Sequence, residues 1–294
     1  MELPLDQVRT LLAVVDEGTF DAAAAALHVT PSAVSQRVKA LEQRTGRVLL
    51  QRTKPVRPTE SGEVLVRFAR QLARLERDAR GELGMSGAGE PTRVSVAVNA
   101  DSLATWFLRA LTGIPRVFVE LRREDEDHTA ALLREGLVMA AVTSSADAVP
   151  GCSVRALGRM RYLPVAAPEF AAAHLTGPLP EALAEAPVIV FDRRDDFQDG
   201  FVRRLGRGGA GSLRHYVPTS EGFVDSVTAG LGWGMVPEVQ AEPRLREGRL
   251  VRLGGPELWV DTPLYWQQWK LDSPALGAVA EAVVRTAGSA LRQP

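Results

Sequence analysis

The sequence predicts an all-α N-terminal module with a small wing, a long linker helix and a C-terminal α/β region. Three observations predict this order. Apolar residues recur at helical spacing through residues 5–45, a heptad-like spacing follows Thr59, and strand and helix patterns alternate from Arg93 onward. Residues 84–91 contain three glycines and one proline, which marks a domain boundary between the linker helix and the α/β region.

The composition is that of a globular protein with a large core. The 294 residues are 45% hydrophobic and 24% charged, with a net charge of −1, and the length allows two or three domains. A single cysteine, Cys152, excludes an intrachain disulfide framework and fits a reducing compartment. The sequence shows neither a signal-peptide pattern nor an apolar run of roughly 20 residues, so we expect a cytoplasmic location and no membrane partner.

Two helices are predicted before residue 30. The first ends at Gly18, and its apolar face consists of Leu5, Val8, Leu11, Leu12 and Val15. The run Ala22–Leu27 forms a short second helix of small residues, and a tight turn at His28 and Val29 leads into Thr30. This order of helix, short helix and turn is typical of the first half of a helix-turn-helix.

The third helix carries the polar surface that a DNA-reading helix needs. Thr30 is placed to cap it, Pro31 suits its first turn, and Val34, Val38 and Leu41 face the core. Short polar or basic side chains fill the opposite face and can reach base edges in a major groove: Ser32, Ser35, Gln36 and Lys39. Taken alone, the pattern also fits an ordinary amphipathic surface helix. The order of the three helices favours a helix-turn-helix.

A basic turn follows this helix and predicts a two-stranded wing. Residues 48–50 are strand-like, and Arg52, Lys54 and Arg57 follow in a turn broken by Pro55. Residues 31–59 contain seven basic side chains and one acidic one, a net charge of +6, whereas residues 1–30 carry a net charge of −4. The positive charge is thus concentrated where helix and wing would meet phosphates.

The helix predicted from Thr59 to about Leu83 has a narrow apolar stripe. Its members alternate steps of three and four residues: Leu65, Phe68, Leu72, Leu75, Ala79 and Leu83. Such a stripe is typical of a helix that pairs with its own copy. Packing against the rest of the same chain explains the spacing equally well.

The α/β region contains candidate ligand residues where predicted strands end, which is where parallel sheets bind ligands. We predict mostly parallel sheets, with separate strands at 154–157 and 162–167. A helix start can bind a ligand carboxylate, and its residues are Asn99, Ala100, Asp101 and Ser102. An acidic run can neutralise a ligand cation, and its candidates are Glu124, Asp125 and Asp127. Further candidates at strand ends are Thr143, Asp192 and Glu221. Local helix capping, or a solvated loop for the acidic run, is the alternative role for each.

The sequence gives catalysis little support. Gly-x-Ser-x-Gly and His-Glu-x-x-His motifs are absent, and the four histidines lack metal-ligand spacing. The glycine-rich stretch 206–211 lacks the Lys-Ser/Thr pair of a phosphate loop. We therefore expect a protein that is not an enzyme and that uses neither a cofactor nor a metal. The late aromatic residues are expected to be core: Trp259, Tyr265, Trp266 and Trp269.

The N-terminal stretch "GTFDAAAAALHVTPSAVSQRVKALEQRTGRVLLQR" resembles the LysR-type transcriptional regulators. Later motifs resemble the branch of basic-amino-acid sensors called LysG or ArgP: "VAVNADSLATW", "HTAALLREG", "VPTSEGF", "AGLGWGMVPE" and "PLYWQQWKLDSP". The resemblance implies a winged helix-turn-helix at 1–58, a dimerisation linker helix at 59–84 and an effector domain at 92–294. The effector domain would have a periplasmic-binding-protein-like fold, with subdomain I at 92–163 and 268–294 and subdomain II at 164–267.

The resemblance also implies a function. The protein would bind promoter DNA, sense L-lysine or L-arginine in the cleft between the subdomains, and control an amino-acid exporter or biosynthesis gene. It would form a homodimer or homotetramer, and RNA polymerase is a further partner that this function allows. The alternatives are a LysR-type regulator of another small metabolite, a nucleoid-type DNA-binding protein of low sequence specificity, and a ligand-binding or transport protein. The basic helix and wing count against the last.

Overall fold

Three helices build the N-terminal part of the chain, which we call the head. The computed structural model describes residues 3–83, 92–124 and 126–293. The head contains α1 (Leu5–Glu17), α2 (Phe20–Ala26) and α3 (Pro31–Thr45). Gly18 ends α1 with a φ of 74°, a conformation that glycine adopts without strain. The glycine-rich boundary predicted at 84–91 and the candidate Asp125 lie outside the described residues.

Apolar side chains from all three helices form the core of the head. Val8 and Leu11 of α1 pack with Ala23 of α2 and with Val34 and Val38 of α3. The apolar face predicted for α1 is rotated in the structure. Val14 is fully buried, whereas Leu5 is 42% exposed and Val15 is half-buried. Both α2 and α3 contact α1, and this contact decides which of the two neighbouring valines turns inward.

The wing is a two-stranded antiparallel ribbon of β1 (Leu50–Gln51) and β2 (Arg57–Pro58). It begins later than predicted, and Val48 is 68% exposed. The Glu42 carboxylate on α3 accepts a hydrogen bond from the backbone N–H of Leu49 at 2.9 Å. This contact fixes the wing against the third helix, because it engages the backbone just before β1.

Helix α4 (Glu60–Glu82) follows the wing, and the Thr59 hydroxyl caps it through the Gly62 N–H. The predicted apolar stripe divides in two. Leu65 is buried in the head together with Val66 and Ala69. Leu72 is half-buried, and the exposed apolar residues are Val64, Phe68, Leu75, Ala79 and, just after the helix, Leu83. The head therefore buries one side of α4 and leaves a second apolar side exposed.

The main sheet of the C-terminal region has the strand order β10-β6-β11-β5-β3-β4, in which β10 is Val251–Arg252, and β9 (Gly234–Pro237) is paired to β6. Strands β3 (Thr92–Val98), β4 (Val117–Arg123) and β5 (Ala140–Thr143) are parallel to one another. Strands β6 (Cys152–Ala166) and β11 (Val260–Trp269) are long and antiparallel, and they join the two halves of the sheet.

Two predictions about the sheet were wrong. The sheet is mixed rather than mostly parallel, because β6, β9, β10 and β11 pair in antiparallel fashion. The two strands predicted at 154–157 and 162–167 are the single strand β6. Gly158 lies inside it with a φ of 132°, beside an irregularity opposite Leu264 and Tyr265 of β11. A bulge of this kind bends a strand without ending it, which a sequence pattern does not reveal.

A second group of strands and helices follows β6. It comprises α8 (Pro168–His174), α9 (Leu179–Glu185), β7 (Val188–Val190), α10 (Phe197–Arg204), β8 (Arg214–Tyr216), α11 (Ser220–Thr228), β9 (Gly234–Pro237), α12 (Glu238–Arg246) and β10 (Val251–Arg252). Helix α12 was not predicted, because Pro243 lies within it and proline usually argues against helix. Strands β7 and β8 are parallel, and Val188 also bridges Trp233.

Helices cover the first part of the sheet. Residues 100–110 form one continuous helix of α5 (Ala100–Ser102), a π-helical turn (Leu103–Phe107) and α6 (Leu108–Ala110). Helix α7 is Glu126–Arg134, and α13 is Pro274–Ala290. Of the four late aromatic residues predicted as core, Trp266 and Trp269 are buried, whereas Trp259 and Tyr265 are half-buried. None of the helices that the structure describes combines the length and apolarity needed to cross a bilayer.

Candidate functional site

The polar face of α3 is open to solvent. Thr30 accepts a hydrogen bond from the Ala33 N–H at 3.2 Å and so caps the helix as predicted. All the residues predicted to read DNA from this helix are exposed: Thr30, Pro31, Ser32, Ser35, Gln36 and Lys39. Val34, Val38 and Leu41 are buried on the other side. The buried side anchors the helix, and the exposed side is available to a groove.

The wing presents its basic side chains beside α3. Arg52, Lys54 and Arg57 are all exposed. The Arg52 guanidinium lies 5.7 Å from the centre of the Phe20 ring, which positions it next to α2. The Val56 N–H donates to the Gly18 carbonyl at 2.8 Å and ties the wing to the turn between α1 and α2. Helix and wing therefore form one basic surface.

A cavity of about 620 Å³ lies in the C-terminal region, within the range of roughly 300–1,000 Å³ usual for small-ligand sites. We call it the cleft. Its walls include the start of the helix at 100–110, the β6–β11 crossing strands, residues 191–204 and the start of α11. Three of the ligand residues predicted at the helix start line the cleft: Asn99, Ala100 and Asp101.

Asp101 is the central carboxylate of this wall. The Tyr162 hydroxyl of β6 donates to Asp101 Oδ2 at 2.7 Å. Desolvation by burial raises the pKa of Asp101, and the nearby carboxylates Asp195 and Glu221 raise it further, whereas hydrogen bonds from Ser220 and Tyr162 oppose the rise. The groups around Asp101 are therefore neutral hydrogen-bond donors and other acids. A bound cation would neutralise the negative charge that these acids share.

Asp195 is a second carboxylate of the cleft. It accepts hydrogen bonds from the backbone N–H groups of Phe191 at 2.8 Å and Phe197 at 2.9 Å. Burial raises its pKa, although these hydrogen bonds and one from the Gln198 side chain oppose the rise. Gln198 is 3% exposed, and its Oε1 atom has no hydrogen-bond partner among the described residues. This part of the wall thus offers acceptors to a donor from a ligand.

The charges of the lining are predominantly negative. Four aspartates line the cleft, at positions 101, 192, 195 and 196, against two arginines, Arg194 and Arg204. Arg203 pairs with Asp196. The Asp192 carboxylate accepts hydrogen bonds from the N–H groups of Arg194 and Asp195, so part of its role is local capping. Arg204 donates to the Trp259 carbonyl at 3.0 Å.

Several predicted ligand residues lie away from the cleft lining. Ser102 is fully buried inside the helix, and Thr143 is buried and accepts a hydrogen bond from the Ser145 N–H, whereas its neighbour Ser144 lines the cleft. Glu124 and Glu221 are exposed and are not part of the lining. Asp127 lies in α7, but its side chain is outside the described part of the structure, as is all of Asp125.

The sequence did not single out several residues of the cleft. Tyr162, Asp195, Phe197 and Gln198 line it. The clearest available signal was the acidic run at 195–196 directly before α10, which resembled an ordinary helix start. Tyr162 gave no signal, because its partner Asp101 is 61 residues away in the chain.

Two protein-family models match this chain. The model described as "Bacterial regulatory helix-turn-helix protein, lysR family" matches residues 5–63, and the LysR substrate binding domain matches residues 87–288. The chain belongs to the LysR family. It is therefore a DNA-binding transcriptional regulator with an effector-binding domain, and the cleft lies in that domain.

Individual relatives agree with this assignment. The chain is 49% identical over 286 residues to the HTH-type transcriptional regulator LysG of Mycobacterium tuberculosis, covering 97% of this chain and 93% of the relative. It superposes on the crystal structure of ArgP from Mycobacterium tuberculosis with a TM-score of 0.91 at 48% identity, over 98% of each chain. Full-length LysG from Corynebacterium glutamicum with bound effector Arg gives a TM-score of 0.86 at 44% identity, over 98% of this chain and 99% of that one. The predicted LysG/ArgP branch is thus confirmed.

Proposed function

We propose that this LysR-family regulator binds L-arginine or L-lysine in the cleft and thereby controls transcription of an amino-acid exporter or biosynthesis gene. One observation carries the proposal: Asp101 and Asp195 are desolvated carboxylates whose pKa values burial raises. The relative from Corynebacterium glutamicum that was solved with Arg as its effector supports the same ligand class.

The chemistry of the cleft favours a ligand with two cationic groups. A basic amino acid carries an α-ammonium and a side-chain cation, and each must be neutralised when it leaves water. Asp101 supplies one anion on the first wall, and Asp195 with the Gln198 Oε1 atom supplies acceptors on the opposite wall. A neutral amino acid would leave one of these carboxylates without a cation.

The ligand carboxylate requires a positive or donating group. The helix start at 99–102, which the sequence predicts as the site for this carboxylate, brings the negative charge of Asp101 to the cleft and is therefore poorly suited to it. Arg194 and Arg204 of the lining are better suited, because a guanidinium pairs with a carboxylate in a planar, two-bond geometry. Asn99 and Ala100 remain available as neutral neighbours of the ligand.

Contacts to DNA divide between α3 and the wing. We propose that Ser35 and Gln36 meet base edges, with Thr30, Pro31, Ser32 and Lys39 around them, since the N-terminal part of a recognition helix reads bases. Arg52, Lys54 and Arg57 would contact phosphates, as suits exposed cations on a wing. These roles are supported by the exposure of all nine side chains.

The exposed apolar side of α4 supports self-association. Phe68 and Leu75 are 37% and 43% exposed in the protomer, and a second α4 would cover them at heptad spacing. We propose a homodimer through this helix and a tetramer of two dimers. Light scattering on the purified wild type should give at least twice the 31.8 kDa of one chain, whereas a mass of one chain would contradict the proposal.

The remaining assignments follow from the same function. We propose that the domains are residues 1–58, 59–84 and 92–294, with subdomain I at 92–163 and 268–294 and subdomain II at 164–267. The long strands β6 and β11 support the last division, because each runs from one half of the sheet into the other. A regulator of this kind acts in the cytoplasm, where its promoter lies, and RNA polymerase is the partner through which it would activate transcription.

The test is DNA binding by the full-length protein with and without the effector. A site is first selected from a randomised DNA pool with the wild type, and its affinity is then measured with arginine, lysine, leucine and glutamate. We expect a preferred sequence and an affinity that changes with arginine or lysine. Absence of sequence preference would favour a nucleoid-type protein, and a response to leucine or glutamate alone would favour a regulator of another metabolite.

A further inference from the structure

Three arginines of α4 donate hydrogen bonds to the effector-binding region of the same protomer. Arg67, Arg70 and Arg74 recur at steps of three and four residues, so they lie on one face of the helix. Arg67 donates to the Arg134 carbonyl and Arg70 to the Glu135 carbonyl, at the end of α7. Arg74 donates to the Arg93 carbonyl on β3, and it is 3% exposed.

The seam between α4 and α7 is close as well as polar. Gly136 follows α7 with a φ of +72°, and a Cβ atom built there would lie 3.1 Å from the Arg67 Cα atom. Cationic side chains also suit this position, because the carbonyl groups at a helix C-terminus carry partial negative charge. The backbone at Gly136 therefore packs directly against the backbone of α4, in addition to the hydrogen bonds from the arginine side chains.

Arg70 extends this seam to the head. Its second guanidinium nitrogen lies 2.6 Å from the Asp16 carboxylate on α1, while its first contacts the Glu135 carbonyl. A single side chain thus joins the head to the end of α7. Its side chain is 17% exposed, so solvent screens this junction less than it would a fully exposed ion pair.

The strand that precedes α7 in the chain, β4, contacts the segment next to the cleft. Arg123 is the last residue of β4, shortly before α7, and its guanidinium donates to the Pro218 carbonyl at 3.1 Å. Pro218 directly precedes Thr219, which caps α11, and the next residue, Ser220, lines the cleft. The contact therefore links the strand leading into α7 with the far wall of the cleft.

We propose that β4 and the following helix α7 form the mechanical link between cleft and head, with the Arg123 contact at the cleft end and the Arg70 contact at the head end. The inference rests on the proposed function, since it assigns a route to the effector response. Helix α7 is about 13 Å long, at 1.5 Å per residue. A ligand that alters the spacing across the cleft moves Pro218 against β4, and α7 carries this displacement to α4 and α1.

The test measures the coupling between arginine and DNA. The DNA dissociation constant is measured without and with saturating arginine or lysine, and the ratio of the larger to the smaller value is taken for the wild type, Arg70→Ala, Arg123→Ala and the double variant. Effector coupling is commonly about 5- to 150-fold, and loss of a coupling contact changes it by about 2- to 30-fold. We expect each single variant to lower the ratio toward one and the double variant to lower it no further than the stronger single variant.

Controls separate this link from a loss of fold. Arg77→Ala removes an exposed arginine of the same helix and should keep the wild-type ratio. Arg70→Lys keeps the charge for Asp16 but not the planar two-ended contact, so it should lower the ratio as well. Each variant is also checked for its mass, its thermal unfolding and its arginine affinity without DNA.

The outcomes distinguish the two proposals. If the DNA affinity of the wild type does not change with arginine or lysine, the proposed function is wrong, and so is this link. A wild type that responds, together with Arg70→Ala and Arg123→Ala proteins that respond equally well, overturns the link alone. Should Arg70→Ala fail to fold, Arg123→Ala and Arg70→Lys decide the matter, because each reports on one end of the link.

Discussion

The DNA-facing surface of the head is basic and exposed to solvent, whereas the cleft is acidic and contains desolvated carboxylates. Apart from the half-buried Arg37, the basic side chains of α3 and the wing are exposed, and residues 31–59 carry a net charge of +6. The acidic side chains of the cleft include Asp101 and Asp195, whose pKa values are raised by burial. Exposed charges are screened by salt over about 8 Å at physiological ionic strength, whereas buried charges are screened much less.

The two sites therefore recognise their ligands in different ways. The head attracts any polyanion through screened charges and needs neutral contacts from α3 to distinguish sequences. The cleft can select by charge itself, because an uncompensated charge costs much more inside a protein than in water. DNA binding should therefore depend steeply on salt, and effector binding only weakly. Four substitutions or conditions test this contrast, beginning with the largest effect.

Asp101→Asn should have the largest effect. It keeps the shape of the side chain and a partner for Tyr162, but it removes the anion that a ligand cation would meet. We expect arginine and lysine affinity to fall by roughly 2–5 kcal/mol, the cost of truncating one partner of a buried charge pair. Calorimetry measures it.

Asp196→Asn is the matched control for this variant. Asp196 lines the same cleft but pairs with Arg203, and its side chain is 68% exposed. The Asp196→Asn protein should lose far less affinity for arginine and lysine than the Asp101→Asn protein. Equal losses in both variants would mean that the overall charge of the cleft matters rather than the burial of Asp101.

Gln36→Ala should have the next largest effect, and it should act on sequence preference. Loss of a base-edge contact costs about 1–3 kcal/mol on the preferred site and relaxes selectivity at one position. Gln43→Ala changes the same residue type later on α3, where it is also exposed, and should keep the preference. Selection from a randomised pool compares the two. A Gln36→Ala protein that selects the wild-type site unchanged would refute the role of Gln36.

Arg52→Ala should weaken binding to all DNA sequences alike. Loss of one phosphate contact lowers the dependence of log affinity on log salt by about one unit of slope. Arg285→Ala changes the net charge equally, at an exposed position of α13, and should leave the slope unchanged. Titrations at several salt concentrations give the slopes. If both variants shift them equally, net charge and not the wing determines the effect.

Acid should weaken effector binding through the carboxyl groups of the cleft. The pKa of Asp101 is raised from its usual 3.8, so it binds a proton at a higher pH than an exposed aspartate does. Protonation removes the anion, and arginine affinity should fall as the pH drops through this raised pKa. Arginine binding should also release protons there, which calorimetry in buffers of different ionisation enthalpy detects. A pH-independent affinity down to the usual aspartate range would contradict this expectation.

The same comparison explains what the sequence could predict. The head was predicted well because its parts are contiguous: the caps, the buried Val34 and Val38, and the basic wing all lie within residues 30–58. The apolar face of α1 was misplaced by one residue, because packing against α2 and α3, and not spacing, decides between Val14 and Val15.

The cleft was predicted less well because distant segments build it. Asn99, Ala100, Asp101 and Asp192 were expected there from strand ends, and they line it. Tyr162 meets Asp101 only because β6 continues past Gly158, where the sequence suggested a break. Pairing between remote strands determines such contacts, and no local pattern records it.

The most direct test of the central claim is calorimetry of the wild type with matched ligands. Norleucine lacks the side-chain cation of lysine, and citrulline is a neutral counterpart of arginine. We expect arginine or lysine to bind, and norleucine, citrulline, leucine and glutamate to bind at least roughly 30-fold more weakly or not at all. This factor corresponds to the lower end of the free-energy cost of leaving a buried charge unpaired. Norleucine or citrulline binding as tightly as the cationic amino acids would show that the carboxylates of the cleft do not select its ligand.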